Sequence, residues 1–172
     1  MEKNARYYYD LAKSDNSKLD YCLQEIINIG DPAYLVIMAR EFESLSKELI
    51  FNEVIKANNP IYIIEWALKY RDADRNMLVD AICKCTPKQN IWLVKFAGVV
   101  EGLDDSHVEK ITKELISRKD VECLKKLSKV KFAPIDDIYI AIDKILQDNI
   151  TAFDDVAEIY PYDPTENLDS FD

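Results

Sequence analysis

Trp92-Leu-Val-Lys-Phe-Ala97 is written, with variations, six times in this chain. Large apolar residues fill its first, second and fifth places, and a small residue closes it. The other copies lie at 7–12, 34–39, 62–67, 123–128 and 152–157. Successive copies begin 27, 28, 30, 31 and 29 residues apart, the spacing of a helix-pair repeat. On a helix, places one, two, five and six fall within an arc of about 140°. Place three widens that arc in the first four copies, through Tyr9, Val36, Ile64 and Val94. Place four points away and is charged in every copy except at Ile37: Asp10, Glu65, Lys95, Lys126 and Asp155. The pattern predicts a helix with neighbours on both flanks and a solvated back.

Three residues before the copies stand Asn4, Asp31, Asn59, Gln89, Asp120 and Asn149. Asn and Asp side chains accept from the free N–H groups of a first helical turn, so each predicts a helix start. Gln89 is the weaker member. Pro32 and Pro60 strengthen two of these starts, because proline is pre-set for the first helical position. Thr86-Pro87 predicts a slightly early start for the fourth unit.

Each unit also predicts a second helix. Eleven residues after the closing small residue come Leu23, Ile50, Leu78, Val108, Tyr139 and Leu168. Three further on come Ile26, Ala81, Ile111, Ile142 and Phe171, with unit two slipped from Glu53 to Val54. Ser106 and Glu109 fit a capping box, and Asp163-Pro164 fits a cap followed by a first-turn proline. The last helix has room for about two turns, too short to stand without docking.

The fold expected is all-α, an α-solenoid of about six helix-pair repeats with the last one truncated. Residues 1–160 form the solenoid, and residues 161–172 an acidic C-terminal cap or a fraying tail. In period and small-residue placement the chain resembles α-solenoids of the HEAT-like kind, and the short helical repeats of bacterial and phage proteins. That resemblance implies partner binding along an extended surface.

Composition agrees with helices. Apolar residues make up 48% and charged residues 31%, an ordinary globular balance. Three glycines and six prolines are too few for the turns of a sandwich or barrel. Met1 to Tyr7 contains no apolar segment of signal-peptide length, and no apolar run is long enough to span a bilayer. Cys22, Cys83, Cys85 and Cys123 lack the spacing of a disulfide framework, so a reduced, cytoplasmic protein is expected. The net charge of −10 is localised. Residues 1–131 balance 21 acidic against 21 basic side chains, and residues 132–172 set 11 acidic residues against Lys144 alone. Such an end repels phosphates, which argues against direct nucleic-acid binding there.

Catalytic chemistry finds little to work with. The one histidine, His107, reads as a neutral surface residue beside a cap, and it rules out a two-histidine zinc motif. On a helix Cys83-Lys-Cys85 would splay its sulfurs by about 160°. Buried small side chains are therefore expected at all four cysteines, ahead of a metal site or redox pair. Gly30, Gly98 and Gly102 cannot make a phosphate loop. Gly98 and Gly102 either admit a close neighbouring helix or, as expected, Gly102 ends one. Tyr7, Tyr34, Tyr62 and Trp92 could stack bases or sugars, but at this register core packing is expected.

The acidic groups are Asp136 and Asp137; Asp154, Asp155 and Glu158; and Asp163, Glu166, Asp169 and Asp172. They form either a solvated cap or a surface for a basic partner, with Tyr160 and Tyr162 around Pro161 as apolar anchors. Calcium ligation is disfavoured, since no D-x-D-x-D-G loop is present. The function expected is a non-catalytic module that binds a protein with a basic surface, with no cofactor, metal or membrane contact. Its binding residues would be Asp136, Asp137, Asp154, Asp155, Glu158, Tyr160, Tyr162, Asp163, Glu166 and Asp169. The alternative is a phage or mobile-element inhibitor of the anti-CRISPR kind, whose acidic end mimics nucleic acid.

Overall fold

A computed structural model describes residues 3–85 and 87–159, with the backbone alone described for Pro87 and residues 150–159. The described chain is helical throughout, with no strand. In order come α1 (Ala5–Ser14), α2 (Leu19–Ile29), α3 (Pro32–Glu41), α4 (Lys47–Lys56) and α5 (Pro60–Lys69). They are followed by α6 (Arg75–Cys83), α7 (Asn90–Val99), α8 (Asp105–Ser117), α9 (Val121–Leu127) and α10 (Ile135–Ile159). None of these helices is long and apolar enough to cross a membrane.

The caps explain where most of the odd-numbered helices begin. Asn4 accepts from Tyr7 N (3.0 Å), Asp31 from Ala33 N (3.0 Å) and Tyr34 N (3.3 Å), and Asn59 from Ile61 N (3.1 Å). Asp120 accepts from Cys123 N at 2.9 Å. Pro32 and Pro60 occupy the first helical position as expected. Gln89 makes no side-chain capping bond, and a 3-10 turn over Pro87–Gln89 leads into α7 instead.

Three local expectations are corrected. Asn149 starts no helix, because α10 runs through it to Ile159. Nothing between Ile135 and Ile159 breaks a helix, and one mid-helix Asn costs less than about 1 kcal/mol. Secondly, the cap of α8 is Asp104 and not Ser106. Its carboxylate accepts from His107 N, and His107 Nδ1 takes the Asp104 N–H at 3.2 Å. Finally, Tyr139 is 53% exposed while Ile138 beside it is fully buried. Ile138 follows Ser128 by ten residues, not eleven, so the shorter linker rotates the helix by one place. Asp163, Pro164, Leu168 and Phe171 lie outside the described residues.

The hexapeptide does the packing asked of it, with one qualification. Places two and six supply Tyr8, Leu35, Ile63, Leu93 and Leu124, and Ala12, Ala39, Ala67 and Ala97, all buried. Place one sits at the margin: Tyr7 is 44% exposed, and Tyr34, Tyr62 and Trp92 are half-buried against the core. Adjacent helices pack on one another. In addition α1 packs on α3, α3 on α5, α5 on α7 and α7 on α9, while α6 packs on α8 and α8 on α10.

Polar bonds tie neighbouring pairs together, three of them across the same interval. Lys110 pairs with Asp80 and Arg71 with Glu101 (3.1 Å), while the Asn90 amide donates to Asp120 Oδ2 at 2.8 Å. Each of these three links spans 30 residues. Asn90 Oδ1 also accepts from Arg118 Nη1 (2.6 Å). The Arg118 side chain is 9% exposed; its Nε donates to Glu114 (2.8 Å) and its Nη2 to the Cys83 carbonyl. Burial works against the Asp120 carboxylate, but Asn90 and the Cys123 N–H outweigh it and hold its pKa below the usual carboxylate range.

An aromatic stack links α4 to α5. Phe51 stacks on Trp66 at 5.3 Å, and Trp66 tilts over Tyr70 at 4.3 Å. The Tyr70 hydroxyl is buried with no hydrogen-bond partner among the described residues, and burial raises its pKa. An unpaired buried hydroxyl destabilises by about 1–3 kcal/mol. Tyr70→Phe keeps the ring and should stabilise the protein by about 1 kcal/mol, raising Tm by about 2–4 °C. A lower Tm on thermal unfolding would mean that the hydroxyl is satisfied in solution.

Candidate functional site

The loop from Ser128 to Pro134 delivers the chain from α9 to α10, and within it Phe132 holds φ +66°. Left-handed backbone costs an L-residue about 1–2 kcal/mol, so this turn is imposed by its surroundings. Phe132 is also 44% exposed, with the Lys131 ammonium 4.4 Å from its ring centroid. Its ring lines a hollow of about 520 Å³ together with Ala133, Pro134, Asp105, Glu109 and Asp137.

Two helix starts supply the carboxylates. Asp105 opens α8, and Asp136 and Asp137 lie in the first turn of α10. At a helix N-terminus a carboxylate is stabilised by the unpaired N–H groups and the helix dipole, which lets like charges gather there. Glu109 is paired with Lys113 at 2.6 Å. Asp105, Asp136 and Asp137 are exposed and carry no ion pair among the described residues. An exposed aromatic sharing a hollow with the unpaired carboxylates of Asp105 and Asp137 suits a basic, partly apolar surface.

Of the sequence-predicted binding residues, Asp137 lines this hollow and Asp136 precedes it in the first turn of α10. Asp154, Asp155 and Glu158 fall on α10 where only backbone is described, and Tyr160, Tyr162, Asp163, Glu166 and Asp169 lie outside the described residues. Sequence reasoning missed Asp105, Glu109 and Phe132. Asp105 and Glu109 belong to a charge-balanced part of the chain, and the loop that brings Phe132 to them shows no periodicity.

The groups weighed for catalysis sit elsewhere. His107 is 8% exposed, and so is not the surface residue expected. Nδ1 lies 2.6 Å from Asp104 Oδ1, and Nε2 is buried without a partner among the described residues. Its ring is spent on capping α8. Cys22, Cys85 and Cys123 are buried and Cys83 half-buried, all as free thiols. Burial pushes the Cys83 thiol up to about 11, and burial with Asp120 does the same for Cys123. Such thiols hold very little thiolate at neutral pH. No group of three metal-ligating side chains occurs among the described residues. Helix α7 ends at Val99, capped by Val100, and Gly102 takes φ +79° two residues beyond. Gly98 lies in the last turn of α7, where a Cβ would meet Val130 at an ordinary 3.9 Å.

No family model matches this chain. No curated protein and no solved structure matches it either.

Proposed function

We propose that this chain is a helical-repeat module of the solenoid kind that docks a basic protein surface through its acidic C-terminal end and carries out no catalysis. The repeat reading is supported by the packing of alternate helices and by three polar links of equal span. One observation carries the binding reading: the unpaired carboxylates of Asp105 and Asp137 share a hollow with the exposed, left-handed Phe132. Phosphates would be repelled by the same groups, so the partner is a protein and not a nucleic acid.

The test is affinity capture at rising salt, with wild type beside the variant Asp105→Asn/Glu109→Gln/Asp137→Asn. Screening shortens the reach of exposed charges to about 3 Å at 1 M salt. A partner held at physiological ionic strength should be released well before that point, and the variant should not retain it. Retention unchanged by both salt and substitution would sink the acidic-surface reading.

A further inference from the structure

We propose that the outer apolar stripe of α10 docks a basic amphipathic helix of a partner protein, laid against α10 as α10 is laid against α8. The inference rests on the acidic-surface reading above and names the element that the partner presents. Its starting point is a comparison of two helices of this chain at an offset of 30 residues.

At that offset the buried faces coincide: Val108, Thr112 and Leu115 of α8 correspond to Ile138, Ile142 and Ile145 of α10, all six buried. The outer positions do not coincide. Where α8 carries Asp105, Glu109 and Lys110, α10 carries Ile135, Tyr139 and Ile140. These three are exposed, Ile140 by 68%, and so is Leu146. In α8 the counterparts of Ile135, Tyr139 and Ile140 are charged, while that of Leu146 is the partly buried Ile116; the charged ones face the start of α10 or reach back to α6. Asp105 and Glu109 border the hollow beneath Asp137, and Lys110 pairs with Asp80. By the same geometry Ile135 and Tyr139, the counterparts of Asp105 and Glu109, face where a further helix would continue α6, α8 and α10.

The stripe has the form of a helix-docking face. At 100° per residue Ile135, Tyr139 and Leu146 lie within about 40° of one another. They sit between the buried Ile138–Ile142–Ile145 face and an edge formed by the exposed Asp136 and Asp143. An amphipathic helix lays its apolar face into such a strip. Charge then selects the occupant. Over 135–149 the helix carries Asp136, Asp137, Asp143 and Asp148 against Lys144, and among the described residues only Asp148 meets a cation from elsewhere, Lys119 at 4.0 Å. A second copy would set that edge against itself, and like charges across an interface are costly. A basic helix covers the stripe and neutralises its edge.

The probe is a fluorescein-labelled Leu/Lys peptide of about five helical turns, with leucines on one face. Its controls are the same peptide with every Lys changed to Glu, and a scramble with no helical period. Fluorescence anisotropy with the full chain should show saturable binding of the basic amphipathic peptide, at least about tenfold tighter than either control. The variant Ile135→Gln/Tyr139→Gln should lose at least about tenfold in affinity with its far-UV circular dichroism unchanged; both residues are exposed, so the fold does not depend on them.

Four results would overturn the proposal. The first is equal binding of the acidic or scrambled peptide. The second is a concentration-dependent dimer in sedimentation that the double variant abolishes, which makes a second copy the occupant. The third is tenfold tighter peptide binding by Leu168→Gln/Phe171→Gln, which makes the chain's own end the occupant. The fourth is undiminished binding by the double variant. If the Asp105/Glu109/Asp137 variant loses the peptide in that fourth case, the stripe is excluded and the acidic surface stands. Loss confined to the double variant instead supports the stripe and removes the hollow from the interface.

Discussion

Trp66→Ala should lower the free energy of unfolding by about 3–5 kcal/mol. Stability of a domain this size is about 5–15 kcal/mol in all, so the change threatens the fold. Trp66 is 2% exposed and lies between Phe51 of α4 and Tyr70 at the end of α5. Truncation removes the largest side chain at that junction and strips two aromatic rings of their partner. An open hollow of about 290 Å³, lined by Phe51, Trp66, Tyr70 and Met77, already flanks the site. Close-packed surroundings relax only partly into such a gap. Trp66→Phe keeps a ring and should cost less than half as much. Urea unfolding of the three proteins is the measurement; a loss below about 1 kcal/mol for the alanine variant would show that the helices close over the gap.

Arg118→Ala is expected to cost about 2–4 kcal/mol. The effect arises less from losing a charge than from what is left behind. Without the guanidinium, the Cys83 carbonyl and Asn90 Oδ1 lose their donor, and Glu114 loses its partner. Glu114 is one-third exposed and recovers part of its share from water. Arg118→Lys restores the charge but not the planar fork that reaches three acceptors, and should recover little. A double-mutant cycle with Asn90→Ala decides whether the network acts as a unit. Coupling above about 0.5 kcal/mol is expected, and strict additivity would refute it.

Arg118 also marks where sequence reasoning stopped. Local chemistry was legible: Asn4, Asp31, Asn59 and Asp120 cap the helices they announce, because a cap acts within three residues of itself. Arg118 looks like any helix-end arginine paired at i−4, since its other two partners lie 28 and 35 residues away. Asn149 has the type and register of a cap but no helix break before it. The acidic end was visible as bare charge. Its apolar half was not, because Ile135, Tyr139 and Leu146 carry the spacing of a core face. Periodicity says that a helix has an apolar side but not whether a neighbour covers it.

The short reach of the helix contacts along the chain has a kinetic consequence. Among the described residues, substantial packing joins helices no more than two apart in the chain. Low contact order of this kind favours fast folding, because few long loops must close before contacts form. It also weakens cooperation between the two ends: one end can open while the other keeps every neighbour it has. Amide exchange should therefore grade along the chain, with the slowest amides in the most buried helices.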